Sequence, residues 1–590
     1  MSYTDLQQFL KALDEKGLLS TINTEVNPVL EITEIADRVS KRFGNALKFT
    51  NVKGSPYPLV INTMGTYERL CMGLGVNSLD EIADEIESFF NLSAYATLTG
   101  KIKAIPKLAP LPFIFPKKVK RAACQEVIES PDLNTLPVIQ CWPEDGGKYI
   151  TLPLVFTKDP ESGQQNIGMY RMQIFDGQTT GMHWHLHKDG KEIYEKYRKL
   201  GKRMPVSVAL GCDPATIYAA TAPLPKMIDE MLFAGFLRKR PVELVKCVTN
   251  DLYVPAHAEF ILEGYVDLDE RRTEGPFGDH TGYYSLADEY PVFHLEKITR
   301  KKNPVYPTTI VGKPPMEDCY LGKATERIFR PLMKIQCPEI VDIDFPLEGV
   351  FHNCAIVSLK KAFPRHANKL LYALWGLGQM MYTKMIIVVD SDVDVHNYAA
   401  VAEAVKQHVT CANHLILTEG PLDALDHASN RAFQGFRLGI DATTKRADET
   451  CEAEMDDAAE TSTGEAALES GPSVLEIHPF DKVEKGCHVH AHLSALMHES
   501  GSQANIVIVV DPNIDPKDYS TVAWKVFNNI DPKRDILIGR TPSGKLFIGI
   551  DATKKGPEDG LMRPWPNDIE MDGATVRMVT EKWRTYGIDG

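Results

Sequence analysis

Two short segments of the chain carry the residue types that chemistry on an organic acid requires. The first, NIGMYRMQIFDGQTTGMHWHLH from Asn166 to His187, places an amide, an arginine and three histidines in one stretch. The second, EGPFGD, has an acid at each end, Glu274 and Asp279. A guanidinium can bind a carboxylate through two parallel hydrogen bonds, and two acids in one pocket can divide acid and base roles. Together the segments predict chemistry on an organic acid.

The histidines of the first segment are spaced as the residues on one face of a strand are. Side chains alternate faces along an extended backbone, so His183, His185 and His187 would point the same way. Three imidazoles on one face predict a metal or phosphate site. A surface strand with its polar residues turned outward has the same pattern, so that alternative stays open.

An amide and a carboxylate could complete a metal site with these histidines. Asn166 precedes them, and Glu230 lies in the helix-like stretch PKMIDEMLFAGFL. Amide oxygen, imidazole and carboxylate form a mixed set suited to Mn²⁺, Mg²⁺ or Fe²⁺ rather than to a closed structural zinc site. Spacing alone does not exclude the neighbouring acids Asp229 and Glu243, or a solvated glutamate on a helix surface.

The EGPFGD segment predicts a tight turn that brings its two acids toward one cavity. Its glycines and proline favour such a turn. Acids that share a pocket tend to have separated pKa values, so one would stay ionised beside Arg171 while the other keeps a proton for delivery. A solvated surface turn is the alternative.

Composition and charge exclude several other classes of protein. The chain has 590 residues and a net charge of -15, which argues against nucleic acid or an anionic membrane as the main partner. No uncharged apolar run approaches membrane-spanning length. Eleven cysteines without a CxxC pair predict reduced thiols, and with them a cytoplasmic location.

Shifts in composition along the chain predict its domain organisation. A proline-rich stretch, IPKLAPLPFIFPKK, closes the first region because proline cannot continue a helix. Short β-rich runs follow, and after about residue 316 helices alternate with apolar strands. The predicted segments are an N-terminal α/β domain (1–115), a β-rich domain that contains both motifs (116–315), a C-terminal α/β domain (316–445), an acidic mobile linker (446–472) and a second, degenerate α/β copy (473–590).

The last third of the chain contains an internal repeat. MIIVVDSDVDVHNYAAVAEAV, closing with GIDATTK, recurs as IVIVVDPNIDPKDYSTVAWKV, closing with GIDATKK. The residues matched at one constant offset are Asp390, Asp394 and Tyr398 with Asp511, Asp515 and Tyr519. This pattern predicts a duplicated α/β unit. Between the copies lies a segment with nine acids and no bases, a composition typical of a mobile linker.

Taken together, these segments resemble the UbiD family of decarboxylases over about residues 1 to 445. The motifs that carry the resemblance are NxGxYRxQ at Asn166, HWHLH, LFAGFLR after Glu230, EGPFGDHTGYY from Glu274, and MYTK ending at Lys384. The resemblance implies an α/β (α+β) fold with a central flavin-reductase-like split β-barrel. It also implies reversible, non-oxidative decarboxylation with prenylated FMN, a divalent metal such as Mn²⁺, and K⁺.

The resemblance assigns roles to individual residues. It implies Asn166, His187 and Glu230 as metal ligands, and Arg171, Glu274 and Asp279 as the catalytic arginine and acids, with Asp279 as proton donor. The residues implied to line the flavin site are Met169, Tyr170, Arg171, His183, Trp184, His185, Lys188, Asp189 and Lys384. In the family arginine is common where this chain has His183 and Lys188, and an aliphatic residue is frequent at His185.

The second α/β copy goes beyond the usual pattern of the family. It has Asn505 where the first copy has Lys384, which favours a structural or assembly role over a second site. The resemblance further implies a flavin prenyltransferase as cofactor supplier, and a homodimer or homohexamer.

Family frequency favours an aromatic acid of ubiquinone or menaquinone biosynthesis as the substrate. The alternatives are an aromatic carboxylase or degradative decarboxylase with the same cofactor, a metal-dependent hydrolase that uses HxHxH, and a non-catalytic flavin-binding protein.

Overall fold

A computed structural model gives the structure of the chain and divides it into two compact units. It describes residues 2–90, 113–185, 188–226, 228–447, 449, 473–482, 488–499 and 504–588. The first unit comprises Met1–Ile328 and Asn567–Gly590, and the second comprises Phe329–Pro566. The sequence analysis ended the β-rich domain at residue 315 and the second α/β copy at residue 590. In the structure the first unit continues to Ile328 and includes the chain again from Asn567. Of the predicted linker (446–472), residues 446, 447 and 449 are described.

Helices and strands are mixed along the chain, which confirms a mixed α/β fold. The helices are α1 (Leu6–Glu15), α2 (Glu31–Lys41), α3 (Tyr67–Leu74), α4 (Asp80–Phe90), α5 (Asp189–Leu200), α6 (Pro214–Ala219), α7 (Glu230–Arg238), α8 (Glu317–Gln336), α9 (His366–Trp375), α10 (Tyr398–His408), α11 (Val489–Met497), α12 (Tyr519–Asn529), α13 (Pro532–Asp535) and α14 (Gly573–Lys582). The strands up to residue 210 are β1 (Leu19–Ile22), β2 (Ala46–Phe49), β3 (Leu59–Ile61), β4 (Lys117–Val119), β5 (Val127–Glu129), β6 (Tyr149–Ile150), β7 (Leu154–Lys158), β8 (Gln165–Met169), β9 (Met172–Gln173), β10 (Thr179–Gly181) and β11 (Met204–Leu210). The later strands are β12 (Glu243–Lys246), β13 (Tyr253–Pro255), β14 (Phe260–Glu274), β15 (Phe277–Gly278), β16 (Tyr284–Ser285), β17 (Asp288–Arg300), β18 (Tyr306–Pro307), β19 (Ile340–Asp344), β20 (Cys354–Leu359), β21 (Met385–Asp390), β22 (Leu415–Pro421), β23 (Gln434–Asp441), β24 (Val474–Pro479), β25 (Ala504–Val510), β26 (Ile536–Arg540) and β27 (Leu546–Asp551).

An antiparallel sheet in the first unit carries the residues predicted to form the site. Its strand order is β10-β17-β14-β11-β7-β8, and β5 also pairs with β17. The predicted split β-barrel is not found as a closed barrel, because no pairing among the described residues joins β8 to β10. A barrel requires every edge strand to be paired, whereas β9, which follows β8 along the chain, pairs with β6 in a separate two-stranded sheet.

The C-terminal end of the chain packs against the N-terminal region of the first unit. The buried carboxylate of Glu31 on α2 accepts hydrogen bonds from Lys582 Nζ at 3.0 Å and from the Tyr586 hydroxyl at 2.8 Å. The guanidinium of Arg38 lies 5.4 Å from the ring centroid of Trp583. These contacts place the last helix in the first unit, outside the second α/β copy to which the sequence assigned it.

The two segments predicted to be copies have the same topology within the second unit. The strand order β20-β21-β23-β22 of one sheet matches β24-β25-β27-β26 of the other, and the third and fourth strands are antiparallel in both. The turn after β23 and the turn after β27 contain equivalent hydrogen bonds. Asp441 Oδ1 accepts from the Thr443 hydroxyl at 2.6 Å, and Asp551 Oδ1 accepts from the Thr553 hydroxyl at 2.6 Å.

The cysteines and the helices bear on two further predictions. Most of the described cysteines are buried free thiols, but Cys411 takes part in a disulfide, so the prediction of reduced thiols throughout is wrong at that position. Among the described residues no helix is both long enough and apolar enough to cross a membrane.

Candidate active site

Arg171, Glu274 and Asp279, which are widely separated in sequence, meet in one buried ion-pair cluster. Arg171 Nε donates to Glu274 Oε1 at 2.8 Å and Arg171 Nη2 donates to Glu274 Oε2 at 3.1 Å, a bidentate pair. Arg171 Nη1 forms a second ion pair with Asp279 Oδ2. Ser285 accepts a further hydrogen bond from Nη2 at 3.1 Å, and Phe277 lies under the guanidinium at 4.6 Å. One guanidinium therefore joins both predicted acids.

The ends of short strands bring these side chains together. Arg171 lies between β8 and β9, Glu274 is the last residue of β14, and Asp279 follows β15. On β10, Gly181 faces Glu274: a Cβ at this glycine would lie 3.0 Å from Glu274 Cγ. A larger residue there would push against the carboxylate, so this glycine makes room for the cluster.

The charge of Arg171 determines the ionisation of both acids. Burial raises the pKa of each and is the largest single effect, but the Arg171 charge and the hydrogen bonds to the carboxylates together outweigh it, lowering the pKa of Glu274 to about 2 and that of Asp279 well below its ordinary value. His280 adds to the effect, since its Nδ1 lies 2.9 Å from Asp279 Oδ1. Both carboxylates share the same cation and are ionised in this arrangement, and the proton expected on one of them for delivery stays a prediction.

Two of the three predicted histidines extend the cluster, although not from a strand. Strand β10 ends at Gly181, so His183 and His185 lie in the irregular backbone that follows. His183 Nδ1 lies 2.9 Å from Glu274 Oε2, and its Nε2 lies 2.8 Å from His185 Nε2. Burial and the nearby arginine lower the pKa of His183, which favours a neutral imidazole. His187 lies outside the described residues.

Asn166 and Glu230 lie together in an environment that fits a cation. Asn166 Nδ2 donates to Glu230 Oε1 at 3.2 Å, while the buried Asn166 Oδ1 has no hydrogen-bond partner among the described residues. Burial raises the pKa of Glu230 to about 7. A buried amide oxygen without a donor and a carboxyl group whose ionisation is suppressed would both be relieved by a divalent ion, since such ions prefer oxygen ligands.

The two rival acids have other roles in the structure. Asp229 is the N-cap of α7: its Oδ1 accepts from the amides of Met231 at 2.8 Å and Leu232 at 2.9 Å. Glu243 lies 3.0 Å from His257 in a separate ion pair. The helix cap orients Glu230, the first residue of α7, toward Asn166, which the spacing of the sequence left undecided.

The remaining residues of the predicted flavin site lie close in sequence to the Arg171 cluster and to Asn166. Met169 ends β8, while Lys188 and Asp189 lie at the start of α5. The rings of Tyr170 and Trp184 lie 6.4 Å apart and are buried, so these side chains position the backbone on either side of Arg171 and His183. Gly168 is covered by the Tyr170 ring, which a Cβ there would approach to 2.4 Å.

Lys384 belongs to the second unit and is engaged there. It is buried, pairs with Asp426 at 2.5 Å, and donates to the carbonyl oxygens of Asn528 and Ile530, each at 3.3 Å. Contact with a cofactor phosphate stays a prediction. The corresponding Asn505 donates to the Leu546 carbonyl oxygen at 2.7 Å, which agrees with a structural role.

The sequence analysis missed several residues that contact the cluster. His280 follows Asp279 within the EGPFGDHTGYY motif, Ser285 is the residue directly after that motif, and Tyr290 stacks on His183 with centroids 4.3 Å apart. Gln173 and Asp145 bind the backbone of the turn between the two acids. The EGPFGDHTGYYS stretch was the available signal for the first two, but neither Asp145 nor Tyr290 stands in a segment with unusual spacing.

Comparisons with protein families match nearly the whole described chain. The 3-octaprenyl-4-hydroxybenzoate carboxy-lyase N-terminal domain matches residues 10–86, the Rift-related domain of the same family matches 117–314, and the C-terminal domain matches 319–442 and 474–548. An uncharacterized protein of Archaeoglobus fulgidus is 49% identical over 462 residues, covering 78% of this chain and 96% of the relative. An uncharacterized protein of Aquifex aeolicus is 47% identical over 448 residues, covering 75% and 92%.

Solved structures of UbiD-class enzymes have a similar fold. Vanillic acid decarboxylase of Sedimentibacter hydroxybenzoicus in its open form is 27% identical, with a TM-score of 0.66 over 79% of this chain and 97% of that chain. The UbiD-class enzyme HmfF of Pelotomaculum thermopropionicum in complex with FMN is 26% identical, with a TM-score of 0.65 over 78% and 97%. An evolved dimeric HmfF in complex with prenylated FMN is 25% identical, with a TM-score of 0.63 over 75% and 95%.

Proposed function

Because this chain belongs to the UbiD family of carboxy-lyases, we propose that it removes the carboxylate of an aromatic or α,β-unsaturated acid as CO₂, reversibly and without net oxidation. The observation that carries the proposal is the Arg171 guanidinium held between Glu274 and Asp279 in a buried cluster. Such a cluster offers a cation for a substrate carboxylate and acids that can move a proton. The family relationship supplies the reaction class.

Prenylated FMN is the proposed cofactor, with a divalent metal such as Mn²⁺ and K⁺ as its anchors. When bound, this cofactor supplies an electrophilic ring system that accepts the electrons left behind when CO₂ departs. The orphaned oxygen of Asn166 and the adjacent Glu230 fit the metal. His187, predicted as the third protein ligand, stays a proposal, as does the supply of the cofactor by a flavin prenyltransferase.

Arg171 binds and orients the substrate carboxylate in this mechanism. Its bidentate pair with Glu274 holds the guanidinium plane in one orientation, and His183 holds the second oxygen of Glu274. Both partners are buried, so the charge of Arg171 is stabilised before substrate arrives, and its pKa is raised rather than lowered. A preorganised cation in a site shielded from water stabilises charge far better than one on the surface.

Asp279 returns the proton to the carbon from which CO₂ has left. In this step the bond between that carbon and the carboxyl carbon breaks, and the Asp279 O–H bond gives its proton to the carbon. Arg171 and His280 hold Asp279 ionised in this structure, so the acid must take up a proton when the carboxylate of the substrate engages Arg171. His280 is placed to deliver that proton, because an imidazole exchanges protons readily near neutral pH.

The finer proposal is a role in ubiquinone or menaquinone biosynthesis, on a polyprenylated 4-hydroxybenzoate or a dihydroxynaphthoate. An aromatic carboxylase or degradative decarboxylase would use the same residues, since the reaction is reversible and CO₂ supply sets its direction. The relatedness to vanillic acid decarboxylase supports an aromatic acid as the substrate class. A cytoplasmic location and a homodimer or homohexamer belong to the same set of proposals.

Co-expression with a flavin prenyltransferase tests the proposal. Purified protein should then retain a modified flavin and release CO₂ from at least one acid in a panel of benzoates, naphthoates and acrylates. Protein that hydrolyses test esters with metal but retains no flavin would favour the hydrolase that the histidines first suggested. Retention of the flavin with neither CO₂ release nor exchange of labelled CO₂ into any acid tested would favour a flavin-binding protein and refute the enzyme.

A further inference from the structure

The turn that joins Glu274 to Asp279 is held from outside by a buried carboxylate, that of Asp145. Asp145 Oδ1 accepts a hydrogen bond from the Gly278 amide at 2.7 Å. Its Oδ2 accepts from the amides of Trp142 at 2.8 Å and Cys141 at 3.1 Å. The side chain thus connects the residue just before Asp279 to the 141–145 turn, which belongs to a different part of the chain.

The same turn is fastened at its other end by neutral groups. The Gly275 amide donates to Gln173 Oε1 at 2.8 Å, and Gln173 Nε2 donates to the Gly146 carbonyl oxygen at 2.7 Å. The Gly146 amide donates to the Pro276 carbonyl oxygen at 2.7 Å. A Cβ at Gly146 would lie 2.3 Å from the Gly275 oxygen, so the two backbones touch. These contacts and those of Asp145 together form a clamp on the turn. Asp145 supplies its charged contact, which is made to Gly278, the residue next to Asp279.

We propose that Asp145 is a positioning residue whose ionised carboxylate fixes Asp279 beside Arg171, and that protonation of Asp145 releases this end of the turn. The reason is geometric. Both oxygens of Asp145 face N–H donors, and a carboxylate accepts on both sides. A neutral acid carries a proton on one oxygen, so one side would turn an O–H toward an N–H and lose its hydrogen bond.

The surroundings of Asp145 place the protonation of its carboxylate near neutral pH. Burial raises its pKa to about 7, although the amides of Gly278, Trp142 and Cys141 and the Arg171 charge act in the opposite direction. The other titratable groups that face it, Cys141, Tyr149 and Tyr284, have raised pKa values and are neutral there. Among these groups, Asp145 is therefore the one expected to gain a proton as the pH falls through 7; near the other side of Asp279, burial also raises the pKa of Asp318 to about 7.

Hydrogen exchange measured by mass spectrometry tests the clamp without a substrate. Asp145→Asn is the chosen variant because it has the shape of the protonated acid. We expect the peptide covering residues 274–285 to exchange about tenfold faster in this variant at pH 8.5, the loss expected for a charge-assisted hydrogen bond. The central strand β11 should keep its wild-type protection. Asp132→Asn is the matched control, since Asp132 also accepts from a backbone amide, at 3.0 Å, but in an exposed turn.

The wild-type protein provides a second measurement that does not depend on a variant folding. After correction for intrinsic exchange rates, protection of residues 274–285 should fall about tenfold between pH 8.5 and pH 6, while that of β11 should not change. In Asp145→Asn this pH dependence should be absent. Equal protection of residues 274–285 at both pH values in the wild type, or wild-type protection in a folded variant, would overturn the proposal.

The consequence for catalysis rests on the proposed function. With any acid that the wild type decarboxylates, Asp145→Asn should lower kcat about tenfold or more at pH 8.5 and remove the loss of rate below pH 7, with a smaller effect on KM. If the proposed reaction is wrong, the hydrogen-exchange results are unaffected, because they need no substrate. Failure of the proposed reaction can therefore be distinguished from failure of the Asp145 clamp. Faster exchange with an unchanged pH profile of kcat would refute the link between the clamp and Asp279.

Discussion

Replacement of Glu274 by glutamine is the most direct test of the ion-pair cluster. Glu274 is fully buried, and its Oε1 accepts from Arg171 Nε at 2.8 Å while its Oε2 lies 2.9 Å from His183 Nδ1. Glutamine keeps the shape of the side chain but removes the charge. It also turns one acceptor oxygen into an NH₂ donor, which must face either the guanidinium or the imidazole. The variant therefore leaves the buried cation of Arg171 with Asp279 alone.

The cost of this change follows from the ionisation of Glu274. Its pKa is lowered from 4.5 to about 2 because Arg171 and His183 together outweigh the effect of burial, a difference equivalent to about 3 kcal/mol. Because the folded state has the lower pKa, this stabilisation is complete above about pH 4.5 and is lost as the pH falls toward 2. At pH 7.5 we expect the free energy of unfolding of the first unit to fall by about 3 kcal/mol, close to the usual cost of removing one partner of a buried ion pair.

Activity should also fall in Glu274→Gln, because the variant no longer holds the Arg171 guanidinium in one orientation. About 3 kcal/mol of lost preorganisation corresponds to a decrease of about 100-fold in the rate of CO₂ release. Urea unfolding followed by circular dichroism measures the first effect, and CO₂ release from a substrate identified in the acid panel measures the second.

Glu259→Gln is the matched control. Glu259 is also fully buried and is paired with Lys301 at 2.8 Å, but it contacts no residue of the cluster in the described hydrogen bonds. This control should lose stability and keep its activity. The reasoning is refuted if Glu274→Gln decarboxylates at the wild-type rate, or if the control loses as much activity as the variant.

Three further predictions concern other parts of the molecule. Asp279→Asn should abolish CO₂ release while the flavin stays bound, as shown by its absorbance; a variant with full activity would remove Asp279 from the proton-donor role. Glu230→Ala should release metal and flavin together, measured by metal analysis and absorbance, because the proposed site keeps only Asn166 and His187 and loses its negatively charged ligand; tight retention of both would contradict the assignment. Lys384→Met should lower the free energy of unfolding of the second unit by about 3–5 kcal/mol, because Asp426 loses its buried partner; an unchanged urea midpoint would contradict this pairing.

Local patterns in the sequence were sufficient to identify the residues of the ion-pair cluster. The spacing of EGPFGD and the arginine of NxGxYRxQ identified the three residues that the structure brings into contact. The side chains are chemically distinctive and stand in short segments, and such segments can be recognised without knowledge of the fold. The same is true of the repeat in the last third, because two copies of one pattern at a constant offset leave a mark in the chain itself.

Features that depend on distant contacts were predicted less well. The strand expected for His183 and His185 ends before them, and the barrel expected around the site remains an open sheet. Alternation of side chains indicates that a segment can form a strand, but not which edges pair. The ionisation of the two acids also depends on distant contacts: the sequence shows two acids, but not that one guanidinium lies between them and acts to lower the pKa of both.

By itself the sequence determined the kinds of groups available: one guanidinium, two acids, an amide and a carboxylate for a metal, and a family of enzymes that combines them. Only the tertiary structure decided how those groups act on one another. It placed Asp145 against Gly278, assigned Asp229 to a helix cap, and gave Lys384 an acid partner within its own unit. The physical reason is that hydrogen bonding and ionisation depend on distances of a few ångströms between residues far apart in sequence, and those distances are fixed by packing.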